Sequence, residues 1–322
     1  MKPSGKIVIV AVLTSLALAS QGQPAFEPKG NATDEALARY AELTDTTILR
    51  SSSLGVLKSS ATADLPTDTN AAAAALKNAL LAQGIELVPF RGLFTIAVPP
   101  GWSNSPLKEL IARLPTEGVE EQPQRAGTTG PGGEIIPPGM IDFMNADLNQ
   151  VLQLYAELCN KTLLRPTQLP MPQVRLKTQT PVSKNAAIYA VRASLALQGI
   201  GTVEVGEKLV AVLLVDRVAT FTPPEPKPVS DDSVVSLSDI PQFRMAPAQQ
   251  LVDYYAQLVE KTAAAAAELG QSKVLFRAQT PLKKSELVQA LETVLALNGL
   301  AIVQPDDKTI RLDRVQHASK RK

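Results

Sequence analysis

The chain has 322 residues and 34.3 kDa, room for two or three ordinary domains or several small ones. Its 32 Lys and Arg against 31 Asp and Glu leave a net charge of +1, so no long-range field gathers phosphates, which argues against nucleic acid as a partner. Cys159 is the only cysteine, so an intramolecular disulfide is impossible and the fold must be held by core packing.

At the N-terminus, Lys2 and Lys6 precede an apolar run from Ile7 to Leu18, and Ala17-Leu18-Ala19 is followed by polar Ser20, Gln21 and Gln23. Residues 1–19 therefore read as a secretory signal cleaved near Ala19. The run is shorter than the roughly 20 residues that cross a bilayer, and no later segment is as uninterrupted, so no transmembrane span is expected in the mature chain. No cysteine lies near the cleavage point, so no lipid attachment is expected.

Beyond the signal the sequence repeats. Tyr-Ala-Glu-Leu occurs at Tyr40 and Tyr155, and Tyr-Ala-Gln-Leu at Tyr255. In each copy a proline follows the tyrosine by 26 residues, at Pro66, Pro181 and Pro281, and a glycine follows the proline by 18, at Gly84, Gly199 and Gly299. The second and third copies are the most alike, sharing Gln179-Thr180-Pro181 with Gln279-Thr280-Pro281 and Leu195 to Gly199 with Leu295 to Gly299, while the first has drifted.

Within the second copy, Met140 to Phe143 predicts a short strand, and Leu148, Val151, Leu152, Tyr155 and Cys159 mark one face of an amphipathic helix. Thr162 to Arg165 and Gln173 to Lys177 predict two further strands. Thr180-Pro181 is expected to open a second helix with proline in its first turn, ending at Gly199 as a left-handed cap. A hairpin closes the copy, running from Gly201 to Glu204, turning at Gly206 and returning through Leu209 to Leu213. The order is β-α-β-β-α-β-β, an α+β fold of about 75 residues near the lower limit for independent folding.

The expected organisation is a signal at 1–19, a divergent first module at 25–100, a linker at 101–137, a second module at 138–216, a Pro-rich linker at 217–233, a third module at 234–315 and a basic tail at 316–322. Gly127, Gly130, Gly132 and Gly133 predict a flexible first linker; Pro223, Pro224, Pro226 and Pro228 predict a stiffer second one, with the three modules articulated. In the third copy, Ala263 to Ala267 before Glu268-Leu269-Gly270 favours continued helix and threatens an edge strand.

Asn145 to Leu148, Tyr155 to Leu158, Lys161 to Leu164, Val174 to Leu176, and Thr180-Pro181 through Leu195 to Gly199 together resemble the periplasmic N-terminal domains of bacterial secretins, the type II secretion form above all. The third copy shows the same features at Val274 to Arg277, Thr280-Pro281 and Leu295 to Gly299, so the resemblance covers about two thirds of the chain. It implies a fold related to the signalling domain of TonB-dependent receptors, a periplasmic location, no enzymatic activity and no cofactor. It also implies partners among envelope or secretion-machinery proteins, self-association included. No run of alternating strands follows the third copy before Lys322, so the outer-membrane barrel of a secretin is not expected here. A signalling module that contacts an inner-membrane regulator is the alternative within the same resemblance.

No residue is nominated as catalytic, cofactor-binding or metal-binding, and the partner-binding residues are not named by the sequence. Ser105-Pro106-Leu107-Lys108 matches the Ser-x-x-Lys of penicillin-binding proteins, which would make a serine-lysine hydrolase, but Ser-Asp-Asn and Lys-Thr-Gly are missing and Ser-Pro suits a helix start. His317, the only histidine, lies in the tail, so no Ser-His-Asp or Cys-His pair can form within the fold. Cys159 and the three repeated tyrosines are expected to be packing residues, and Asp142, Asp147 and Glu157 scattered surface groups.

Overall fold

The computed structural model describes residues 32–51, 54, 57, 65–102, 106–114 and 134–315. The expected signal at 1–19, Ser105, the glycine-rich part of the expected first linker and the basic tail with His317 lie outside them. The fold is mixed α+β, with helices packed on several small sheets.

The first segment contains α1 (Ala32–Thr44), β1 (Thr47–Arg50), α2 (Thr69–Ala82), β2 (Glu86–Phe90), β3 (Phe94–Val98) and α3 (Pro106–Ala112). The second contains β4 (Ile135–Ile136), β5 (Asp142–Asp147), α4 (Leu148–Cys159), β6 (Thr162–Leu164), β7 (Gln173–Lys177), β8 (Val182–Ser183), α5 (Lys184–Leu197), β9 (Ile200–Glu204), β10 (Leu209–Leu214) and the one-turn α6 (Val215–Val218). The third contains β11 (Val234–Val235), β12 (Phe243–Pro247), α7 (Ala248–Leu258), β13 (Thr262–Ala263), α8 (Ala267–Gly270), β14 (Lys273–Phe276), β15 (Leu282–Lys283), α9 (Lys284–Leu297), β16 (Leu300–Val303) and β17 (Thr309–Arg314).

In each segment the strand after the first helix runs parallel to the last strand, which pairs antiparallel with its hairpin partner. The first helix of each segment gives way to that strand through a left-handed residue, Asp45, Asn160 or Glu260, with φ between 51° and 54°. The second helix ends in every case at a left-handed glycine, Gly84, Gly199 or Gly299, the conformation that closes a helix at least steric cost.

Three expectations need correction. The repeated prolines do not occupy the first helical turn: α2, α5 and α9 begin three residues later, and where Pro181 and Pro281 lie the chain first forms the short strands β8 and β15, paired with β4 and β11. Their amide-free, extended geometry suits a strand entry as well as a helix start. The alanine run of the third copy shortens the edge strand to Thr262–Ala263 without removing it, because β17 still offers a parallel partner before α8 begins. The span 101–137 is not all linker, since Trp102, Ile111 and Leu114 are buried in the same core as α5.

The strands β3 and β10 carry apolar residues on both faces, and each face belongs to a different core. On β3, Phe94, Ile96 and Val98 pack with the helices of the second segment, while Ala97 packs with α1 and α2 of the first. On β10, Leu209, Ala211 and Leu213 pack into the third segment, while Val210 and Val212 remain with the second. Alternation along a strand sends neighbouring side chains to opposite faces, so a run such as Leu-Val-Ala-Val-Leu is what a doubly buried sheet requires. The segments therefore share cores, and the expected articulation gives way to a continuous stack: β1 pairs with β7 of the second segment through Leu49 and Leu176, making a five-stranded sheet β2-β3-β1-β7-β5.

Candidate protein-binding surfaces

The joint between the first two segments is built by residues that flank the repeated proline. The Gln179 side-chain carbonyl accepts the Ile48 N–H at 3.1 Å, and the Thr47 and Thr180 hydroxyls meet at 3.1 Å. At the next joint, the Gln279 side-chain carbonyl accepts the Leu163 N–H at 2.9 Å, and the Thr162 and Thr280 hydroxyls meet at 3.2 Å. Thr47 and Thr162 are fully buried, so these hydroxyls would be costly to bury unpaired. The residue after each second helix reinforces the joint, with the Gln198 amide donating to the Arg50 carbonyl and the Asn298 carbonyl accepting from the Thr167 N–H and hydroxyl.

The connecting segments are pinned as well. The Tyr189 hydroxyl on α5 donates to the Ile111 carbonyl at 2.9 Å, and the Gln289 amide on α9, at the same repeat position, donates to the Pro224 carbonyl at 2.8 Å. Phe221 and Val229 of the Pro-rich stretch lie partly buried against the third core, so this stretch is a strap bound to the helix it precedes.

Charged pairs tie the packed elements together. At the first joint Asp34 binds both Arg50 and Arg175, and Arg50, whose pKa burial pushes below its ordinary value, is partly compensated by that carboxylate. In the second segment Arg192 lies 5.7 Å over the Tyr155 ring and pairs with Glu204, which also binds Lys161 at 2.5 Å. At the same repeat position the third segment has Glu292, which accepts the Tyr255 hydroxyl at 2.5 Å and pairs with Lys227 of the strap at 2.6 Å. Burial pushes the Tyr155 and Tyr255 hydroxyls far up, the neighbouring Glu292 adding to the rise at Tyr255, and takes Tyr189 to about 12.

Tyr40, Tyr155 and Tyr255 are buried in three cores, and Cys159 packs half-buried against the second core with a thiol that burial pushes up, an environment opposed to nucleophilic use. Lys108 is exposed on α3, and Ser105 of the Ser-x-x-Lys match lies outside the described residues. Asp142 pairs with Lys177 at 3.0 Å, Asp147 caps α4, and Glu157 accepts from Gln153 at 3.1 Å, so the three carboxylates stay apart in structural roles. Among the described residues no three His, Cys, Asp or Glu side chains gather as a metal site, and no helix is long and apolar enough to cross a membrane.

No protein-family model and no curated protein matches the chain. The site rests on its own geometry. The joint residues were visible in the sequence only as the shared Gln-Thr-Pro, whose role in contacting the preceding segment no single-copy pattern could reveal.

Proposed function

We propose that the chain is an exported, non-enzymatic scaffold of the periplasm, made of three tandem copies of one β-α-β-β-α-β-β module like those of secretin N-terminal domains, and that it binds proteins of an envelope secretion or pilus-type machine. The observation that carries this reading is the joint: one Gln-Thr clasp, at one repeat register, joins the first copy to the second and the second to the third. A chain whose polar groups are spent on stacking modules is organised to present surfaces.

The surfaces suit proteins. Met140, Met144, Met171 and Met245 are all between 45% and 57% exposed, and flexible thioether side chains at a surface fit adaptable protein contacts. The edge strands β5 and β12 each carry a bulge at a left-handed residue, Asn145 or Met245, which discourages indiscriminate strand addition.

The test is expression of the full chain in a bacterium with two membranes, followed by osmotic release, N-terminal sequencing and in vivo photo-crosslinking from Met144 and Met245. The reading expects release with the periplasmic fraction, a mature start just after Ala19 and crosslinks to envelope proteins. An uncleaved chain kept in the cytoplasm, or crosslinking that yields monomer alone, refutes it.

A further inference from the structure

The third segment carries one half of a joint, and among the described residues none fills the other half. Thr262 and Ala263 stand where Thr162-Leu163 and Thr47-Ile48 stand in the filled joints. The Thr262 and Ala264 amides donate to the Lys308 and Ile310 carbonyls, so the intervening Ala263 N–H points away from β17 along the open sheet edge. That is the direction in which Ile48 and Leu163 meet a glutamine. Thr262 is exposed, whereas Thr47 and Thr162 are fully buried.

The sheet beside this edge has changed character. Where the second segment turns Leu209, Ala211 and Leu213 toward its neighbour, the third has Thr309, Arg311 and Asp313, the last two paired at 3.5 Å. Asp313 is already buried and Arg311 stays partly exposed, so an apolar module stacked there would bury the Arg311 charge as well.

We infer that the β13 edge is a docking site for a separate polypeptide presenting an extended Gln-Thr segment on a hydrophilic surface. The inference rests on the module reading above. The glutamine carbonyl accepts the Ala263 N–H, and the threonine hydroxyl pairs with Thr262, continuing the chemistry of the two internal joints. A second copy of this chain does not fit, because its two Gln-Thr pairs are engaged and its first module has Asp64-Leu65 at that register, without the second hydroxyl.

The test uses the full chain extended after Lys322 by a flexible Gly-Ser linker and a copy of residues 277–283, Arg-Ala-Gln-Thr-Pro-Leu-Lys, so that the tether holds the clasp at about millimolar effective concentration. Hydrogen exchange at the Ala263 amide is compared with that of a fusion carrying Ala-Ala in place of the tethered Gln-Thr. Exchange about tenfold slower in the first fusion, with the slowing lost in Thr262→Val, is expected. Equal exchange in the two fusions overturns the docking site. Gln279→Ala in the unextended chain separates the two ideas: faster exchange at Leu163 upholds the internal joint whatever the fusions do, and unchanged exchange there removes the module reading and the docking site together.

Discussion

Leu164→Ala separates a continuous stack from a chain of independent modules. Leu164 belongs to β6 of the second segment, yet its side chain is 1% exposed and packs in the third core with Leu209, Leu213, Phe276 and Leu282. If the cores are shared, truncation leaves a cavity and costs about 2–5 kcal/mol, as for any fully buried leucine. If the segments packed independently, the residue would sit on an outer face and the cost would fall within about 0.5 kcal/mol. Trp102, the single tryptophan, is buried in the preceding core and reports unfolding by fluorescence while far-UV circular dichroism follows the whole chain. With a urea slope of about 2–3 kcal/mol per molar, a 3 kcal/mol loss moves the midpoint down by roughly 1 M. Coupled segments require the Trp102 midpoint to move as well, although Trp102 is on the far side of the second segment. A normal midpoint by both probes, or a shift in circular dichroism with the Trp102 transition unmoved, refutes the shared cores.

Asp34→Ala strands Arg50 and Arg175 and is expected to cost about 1–3 kcal/mol, seen as a lower thermal midpoint, with Arg39→Ala on the exposed face of α1 as a near-neutral control. All five tyrosines have pKa values raised by burial, so tyrosinate absorbance at pH 10 should be lower in the native chain than in urea, where it is about half-developed. Because each folded pKa lies above the unfolded one, stability is full below pH 10 and falls as pH rises from there through the Tyr189 value of about 12, which alkaline titration by circular dichroism measures. The Cys159 thiol, half-buried and pushed up by burial, should react with a disulfide reagent at pH 8 at least about tenfold more slowly in the native chain than in urea. Replacing Thr309, Arg311 and Asp313 by Leu, Ala and Leu rebuilds the apolar face of β10 on β17 and should cause concentration-dependent self-association in sedimentation velocity.

Much of the fold was legible because the same spacing occurs three times. Tyr40, Tyr155 and Tyr255 are buried in helices, Gly84, Gly199 and Gly299 close helices that antiparallel hairpins follow, and a short strand stands at Thr262–Ala263 where the alanine run argued for helix. What the repeat concealed was the neighbour relation. Leu209 to Leu214 is a continuous apolar run, which signals burial on both faces, whereas Thr-Ile-Arg-Leu-Asp-Arg on β17 alternates and signals burial on one. Comparing copies for similarity hides that contrast, since the inward residues Val210 and Ile310, and Val212 and Leu312, agree while the outward ones differ. The connecting stretches conceal their packing for a related reason: Trp102 and Phe221 are single apolar residues among polar ones, and the short apolar run around Ile111 finds its place only against the core that α5 belongs to.

The change at β17 also bears on how many segments this architecture can stack. A small α+β unit buries too little surface by itself, and sharing a sheet between two cores lets each unit borrow apolar area from the next. A sheet that repeated Leu209, Ala211 and Leu213 with no neighbouring core against it would expose an apolar face to water. On β17, Thr309, Arg311 and Asp313 put polar side chains where β10 has apolar ones, while Ile310 and Leu312 still serve the inner core. The backbone edge at Thr262 and Ala263 escapes this change, because its hydrogen-bonding groups belong to the main chain and to a threonine kept from the earlier copies. A partner that docks there gains specificity from directional hydrogen bonds and little affinity from burial, so its complex should be reversible and sensitive to single substitutions in the clasp.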